Sequence, residues 1–265
     1  MPDLRLSSLH VYPVKSCGGL SPAEWDVDHF GLRHDRRWMV VTLDGDFVTQ
    51  REQPRLALVR PELTPDSLVL RATGMPDLTV PLIPSARERV RVQVWDDITE
   101  GVPVSPEAAQ WLSRFLGRVV RLVWMPNDVI RPTDPAYALG HRVSFADGFG
   151  FLLISEASLS ELNRRLERPL PMNRFRPNLV VSGSEPFAED RWRELRLGTL
   201  ELTVVKSCAR CVTTTTDQET AERGVEPLRT LATFRKQDGK VMFGQNLVHR
   251  GNGRVAAGSV VQVVS

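Results

Sequence analysis

The chain has no run of 18 apolar residues and no apolar stretch behind its first residues, Met1-Pro2-Asp3-Leu4-Arg5. Neither a membrane-spanning helix nor a secretory leader is therefore expected. Cysteine is scarce: Cys17, Cys208 and Cys211 are the only three in 265 residues. That is too few for the disulfide framework of a secreted module, and the odd number leaves at least one thiol free, so a reduced, cytoplasmic protein is expected. Charge of one sign is also missing. The net charge is only +2, which removes the bulk electrostatic case for a nucleic acid or an anionic membrane as partner. Of the 34 basic residues four are lysines (Lys15, Lys206, Lys236 and Lys240), leaving thirty arginines. A planar guanidinium fork suits phosphate and carboxylate ligands, although a GC-rich genome that writes arginine for lysine is the better explanation of the bias.

What is present reads as a soluble globular chain, long enough for one large core or two modest ones. The first hundred residues are punctuated by prolines at 54, 61, 65, 76, 81 and 84, which exclude long helices. Short strands are expected at 4–12 and 38–42, a tight hairpin at Asp44-Gly45, and a half-buried strand where Val90, Val92 and Val94 alternate with polar or amphipathic residues. Three helices are expected. The first begins at Ser105-Pro106-Glu107, carries Trp111, Leu112, Phe115 and Leu116 on one face and stops at Gly117. The second has Ser158 and Glu161 as a capping box and runs to Pro169. A short third begins near Glu226-Pro227. Strands return as a hairpin at 195–205, then at 242–248 and 259–264, and 125–150 reads as a long loop. With no regular alternation of strand and helix and no internal repeat, the pattern predicts an α+β, β-rich fold built around barrels.

The residues that carry chemistry centre on Cys211. It follows Arg210 and precedes a run of threonines, and a cation beside a thiol favours the thiolate that binds soft metals or attacks electrophiles. Cys208 and Cys211 form a C-x-x-C pair without a second pair or a histidine pair to complete a zinc site, so a single functional thiolate competes with two inert thiols at a strand end. Lys15, Ser16 and the glycines after Cys17 form a turn that offers a cation and backbone amides to an anion, or simply a turn. Asp35, Arg36 and Arg37 are either an oriented anion clamp or a salt-bridged strand start. Arg176 and Asn178, two apart in a segment expected to be extended, would face the same way.

In combination and order these segments resemble the MOSC family, and within it the two-domain branch that includes the amidoxime-reducing components of mitochondria and their bacterial relatives. The resemblance rests on YPVKSC at 12–17, DRRW at 35–38, VTQREQPRLALV at 48–59, FLLISEASLSELNRRL at 151–166, NRFRPNLVVSG at 173–183, CARCVTTT at 208–215 and FGQN at 243–246. It implies an N-terminal β-barrel domain over 1–124 and a MOSC β-barrel domain with a few helices over 125–265. It also implies a molybdenum cofactor (Mo-molybdopterin) with Cys211 as the metal ligand and the catalytic residue. Lys15, Ser16, Arg36, Arg176, Asn178 and Ser207 would bind the cofactor, and Arg210 would stabilise the Cys211 thiolate. Gly148 and Phe149 stand where animal members carry hydroxyl residues. Pyridoxal phosphate binding is attached to the family as a general label.

The activity implied is oxidoreduction: a small N-hydroxylated substrate takes two electrons and two protons to give the amine and water. Asp147, Glu185 and Asp190 are the candidate proton donors. No cysteine follows Cys211, so no fused ferredoxin is expected and electrons would come from a separate ferredoxin or reductase. The competing reading is a sulfur-carrier or cofactor-delivery protein that holds a persulfide on Cys211. A binding barrel with inert thiols is the third.

Overall fold

A computed structural model describes residues 3–265. Eight strands form the main sheet. Seven of them run Arg5–Leu9, Leu179–Ser182, Phe151–Ser155, Lys240–Arg250, Leu200–Ala209, Glu194–Leu197 and Val261–Val263, and the short Lys236–Gln237 strand pairs at the side. The two ends of this path meet. Leu6 N donates to Ser259 O at 2.9 Å and Val261 N to Leu4 O at 2.8 Å, so the sheet closes into a barrel and leaves no free edge between its first and last strands. Leu6, Leu9, Phe151, Leu153, Leu179, Val181, Leu195, Leu197, Leu200, Leu202 and Leu247 fill it. Alternation along the strands supplies this core. In Leu200–Ala209, Leu200, Leu202 and Val204 point inward while Glu201 and Thr203 face solvent.

The other half is more open. Trp38–Val41, Arg121–Trp124, Asp97–Pro103 and Val90–Val94 pair in that order, and Arg60–Leu63, Ser67–Arg71 and Leu78–Pro81 make a separate meander. Helix α1 (Pro106–Leu116) covers this half with Trp111, Leu112, Phe115 and Leu116. It starts as the sequence predicts: Ser105 Oγ accepts from Ala108 N, Pro106 opens the first turn, and Gly117 ends the helix with φ 67°. Each such aliphatic or aromatic side chain taken out of water contributes about 1.5–3 kcal/mol, which is how a short amphipathic helix holds its place.

Several expectations change. Helix α2 (Glu156–Asn163) is capped by Ser155, whose Oγ accepts from Ser158 N, and it ends before Leu166 and Pro169. Ser158 is not the cap because its hydroxyl donates to the buried Glu189 at 2.7 Å, while Glu161 pairs with Arg164 and Arg165. The third helix, α3, is one turn, Leu228–Leu231. Phe151–Ser155 and Leu179–Ser182 are parallel neighbours joined through α2, a single strand-helix-strand unit inside an otherwise antiparallel barrel. Chain order and core membership also part company: Leu6, Leu9, Val11, Val27 and Leu32 belong to the barrel core built mainly from residues after 150.

The 125–150 segment has no strand or helix of its own. Its order comes from Arg131, only 3 % exposed. The guanidinium donates to Ser144 O (2.8 Å), Ala146 O (2.6 Å) and Asp147 O (3.2 Å) and pairs with Asp97 at 2.8 Å. No helix among the described residues is long and apolar enough to cross a membrane.

Candidate functional site

An open cleft lies where the two halves meet, and its walls gather residues distant in sequence: Lys15, Ser16, Arg36, Arg51, Asp147, Arg176, Asn178, Cys208, Arg210 and Cys211 all line it. The strand Leu200–Ala209 delivers the thiols. Its pairing with Lys240–Arg250 shifts register between Val204 and Lys206 and again between Ser207 and Ala209, and such irregularities re-aim side chains at a strand end. Cys211 follows, extended at φ −118° and ψ 179°, just before a 3₁₀ turn over Val212–Thr215. Cys211 is exposed, and its thiol donates to Thr213 Oγ1 at 3.4 Å.

Three cleft residues hold left-handed backbone without being glycine: Ser16 (φ 68°), Arg36 (φ 49°) and Arg176 (φ 55°). Such conformations are rare for these residue types, and the surrounding structure must enforce them. They correct one expectation, because Arg176 and Asn178 do not share an extended segment. A left-handed turn at Arg176 brings both to the same wall.

Each expected ligand contact has a specific setting. Arg36 donates to Asp35 Oδ2 (2.5 Å), Asn178 Oδ1 (3.0 Å) and the carbonyl of Arg176 (3.2 Å). Arg176 donates to Cys17 O at 2.6 Å. Both guanidiniums lie against the Tyr12 ring, 4.4 and 4.2 Å from its centroid. Burial holds Arg176 down at about 10 and pushes the Tyr12 hydroxyl up to about 12. Asn178 is spent on structure: its Oδ1 also accepts from Leu152 N (3.2 Å) and its Nδ2 donates to His10 O (3.2 Å). Lys15 is 5 % exposed, and its ammonium donates to Phe145 O (2.8 Å) and Asp147 Oδ1 (2.6 Å).

Asp147 sits among protein groups yet keeps 72 % of its side chain accessible through the cleft mouth. Desolvation by its neighbours opposes its charge. The Lys15 ammonium and a hydrogen bond from Trp95 Nε1 at 3.2 Å outweigh that and hold the carboxyl well below the ordinary carboxylate range. Burial lowers the Lys15 ammonium from its usual value, with Asp147 working the other way.

Arg210 does not do what its neighbour in sequence suggests. Its Nη1 donates to Cys208 Sγ at 2.9 Å and its Nη2 to Phe175 O at 2.6 Å, so the guanidinium cradles Cys208 instead of Cys211. Ser207 is not a lining residue, and Ala209 and Asn246 occupy that stretch of wall. Glu185 is exposed outside the cleft, and Asp190 is paired with Arg235 (2.8 Å) and Gln245 (2.7 Å). Cys17 is fully buried, and burial pushes its thiol up to about 12.

Two contributors escaped the sequence reading. Arg51 lies in the cleft wall with its guanidinium 4.0 Å from the Trp95 ring centroid and 5.3 Å from that of Phe47. It stood in a quoted segment, but nothing in the sequence placed Trp95 beside it. The other is a pair of buried amides. Gln50 Nε2 donates to Gln218 Oε1 (3.1 Å), Gln218 Nε2 to Gln50 Oε1 (3.0 Å), and Gln50 Nε2 also to Ser16 O (2.7 Å). This stitches the Ser16 turn to the segment after Cys211.

The donor set suits an anionic cofactor that brings its own metal. Among the described residues no three His, Cys, Asp or Glu side chains converge to hold a metal ion, so Cys211 would serve as a lone protein ligand. The buried Nε of Arg210 has no partner in the protein. An unpartnered guanidinium nitrogen buried at a cleft wall is a donor prepared for a ligand.

Comparison with known proteins agrees with this architecture. The MOSC N-terminal beta barrel domain matches residues 3–119 and the MOSC domain residues 140–262. Mitochondrial amidoxime-reducing component 1 of Mus musculus is 36% identical over 98% of this chain and 82% of its own length. Mitochondrial amidoxime reducing component 2 of Rattus norvegicus is 38% identical over 89% and 74%. Molybdenum cofactor sulfurase of Danio rerio is 35% identical over 92% of this chain, which spans only 32% of that larger protein. The two matched domains, and a likeness that runs nearly end to end, show that the chain belongs to the two-domain MOSC family that contains the mitochondrial amidoxime-reducing components.

Proposed function

We propose that the protein is a molybdenum-cofactor-dependent oxidoreductase that reduces N-hydroxylated compounds to amines. The observation that carries this reading is an exposed cysteine in a cleft walled by Arg36, Arg51, Arg176 and Arg210, in a chain related to proteins named for amidoxime reduction. When bound, the cofactor would supply the two-electron chemistry. Cys211 would hold its metal, and the partner-free Nε of Arg210 together with Arg51 would meet its anionic groups. A separate ferredoxin or reductase would deliver the electrons.

The chain's own residues then handle protons. R–NH–OH, two electrons and two protons give R–NH₂ and water. Of the three carboxylates expected from sequence, Asp147 alone lines the cleft, and its depressed pKa keeps it ionised at neutral pH. The proton it faces is on Lys15 Nζ, so the Lys15–Asp147 pair serves as the local proton store, refilled from the cleft mouth where Asp147 is accessible.

The test compares wild type with Cys211→Ser. Molybdenum content by elemental analysis and consumption of a hydroxylamine or amidoxime with a chemical reductant should both fall by at least about 10²-fold in the variant. A serine variant that keeps its metal and turns over at the wild-type rate would sink the proposal. The relation to molybdenum cofactor sulfurase supports a second reading, in which exposed Cys211 carries a persulfide for delivery. Intact-mass analysis showing one extra sulfur on Cys211, in protein that holds no molybdenum, would favour it.

A further inference from the structure

A second hollow, separate from the cleft, has an unusual lining. His29, His141, His249, Arg142 and Arg250 surround a cavity of about 410 Å³ with Leu139, Val248, Asn252 and three glycines, and no carboxylate lines it. At about 30 Å³ per water, that leaves room for a small solute.

The fold builds this hollow from three sides. Lys240–Arg250 ends here, and Gly251 turns the chain with φ 87°, which lets neighbouring His249 and Arg250 reach one space although strand alternation would part them. Gly140, with φ 82°, turns the opposing segment so that His141 and Arg142 face back. The floor is backbone: a Cβ on Gly150 would come within 2.9 Å of Phe30 O, so no side chain can fill it from below.

Its charges are unmatched. Arg142 donates only to a carbonyl, Asn127 O at 3.2 Å, and lies 4.9 Å from the Phe30 ring centroid. His249 Nε2 lies 2.8 Å from Asp28 O. A carbonyl only accepts, so Nε2 carries the hydrogen and Nδ1 is left for a second proton. Protonation of each ring is opposed first by desolvation. Next comes the positive field of a neighbour at two of the rings, Arg142 at His29 and Arg250 at His141. At His249 the hydrogen bond to Asp28 O, which favours the proton, ranks ahead of the opposing His141 and His29 fields, and the Asp28 carboxylate favours the proton at both His29 and His249. Two guanidiniums and three imidazoles, each able to gain a positive charge, thus line one empty space. An anion there would offset the repulsion that protonation brings. A metal cation fits neither the guanidiniums nor the ring geometry, since no three ligating groups converge.

We propose that the hollow between residues 139–142 and 248–252 binds a tetrahedral oxyanion, the phosphate group of a small solute, and takes up a proton as it does so. Donors on several sides match an ion with acceptors all round better than a planar carboxylate. An anion there stabilises the imidazolium forms, so binding tightens as pH falls.

The experiment follows the five histidine imidazoles by NMR while inorganic phosphate, or sulfate as a non-titrating dianion, is added at constant ionic strength. No histidine lines the main cleft, and His10 and His34 lie outside the hollow, next to cleft residues Asn178 and Arg36, so they report any occupancy of the cleft and serve as internal references for the hollow. The resonances of His29, His141 and His249 should shift together and saturate, more tightly near about pH 6 than about pH 8. The Arg142→Gln/Arg250→Gln double variant should lose at least about tenfold in affinity. Equal, non-saturating shifts at all five histidines would overturn the proposal, and so would unchanged affinity in a folded double variant. Should that variant fail to fold, the contrast between the three lining histidines and the two references in wild type decides alone.

Discussion

Three thiols occupy three settings, and physical chemistry separates them without appeal to function. Cys17 is sealed among Val14, Leu56, Val59 and Leu68, with its thiol pushed up to about 12. Cys208 is half-buried under the Arg210 guanidinium. Cys211 is open to solvent. Brief treatment of the native, cofactor-free protein with iodoacetamide should therefore label Cys211 and leave Cys17 unmodified until denaturant is added. Peptide mapping by mass spectrometry checks this, and a Cys17 labelled as fast as Cys211 would contradict the packing. The sequence placed Cys211 beside a cation and proposed that Arg210 serves it. The first part is a property of neighbouring residues. The second depends on χ angles and on where Phe175 O lies, and no spacing rule reveals either.

At the scale of elements, the Gln50–Gln218 pair is what holds the Ser16 turn against the chain that follows Cys211. Both amides are buried, so removing one partner strands the other. Gln50→Leu or Gln218→Leu should each cost about 1–3 kcal/mol. The double Leu variant should cost less than the sum, with a coupling of about 0.5–3 kcal/mol in a denaturation cycle. Additive losses would show that the pair is decorative. Elements set by local chemistry were legible in advance: α1 with its serine cap and glycine stop, the Asp44-Gly45 turn, and the 195–205 hairpin. Elements set by distant partners were not. Ser158 looked like a cap because Glu161 follows it at the right spacing, but buried Glu189 captures its hydroxyl. Likewise Arg176 reads as extended until Cys17 O, 159 residues away, fixes its guanidinium.

Across the whole molecule, all five histidines are held below their usual value, chiefly by desolvation, and His34 falls to about 4. A base whose folded pKa is depressed binds fewer protons folded than unfolded. Stability should therefore be full above about 6.5 and decline as pH falls toward about 4, chiefly through His34. Asp147 acts at a different point: its depressed carboxyl contributes stability above the ordinary carboxylate range and loses it only in stronger acid. Thermal melts from neutral pH downward test this, and His34→Asn, which keeps a residue tolerant of φ 69°, should soften the decline. A melting temperature flat from neutral pH to about 5 would refute it.

The barrel's closure by the first strand has a consequence for biosynthesis. Arg5 Nη1 reaches Gly258 O at 2.9 Å across 253 residues. The ribosome thus releases the opening strand long before its closing neighbour exists: Leu179–Ser182 can pair one of its edges first, and the other stays unpaired until residues 259–263 emerge. Completion of this barrel thus has to await residues 259–263, while the meander and α1 need nothing so late in the chain.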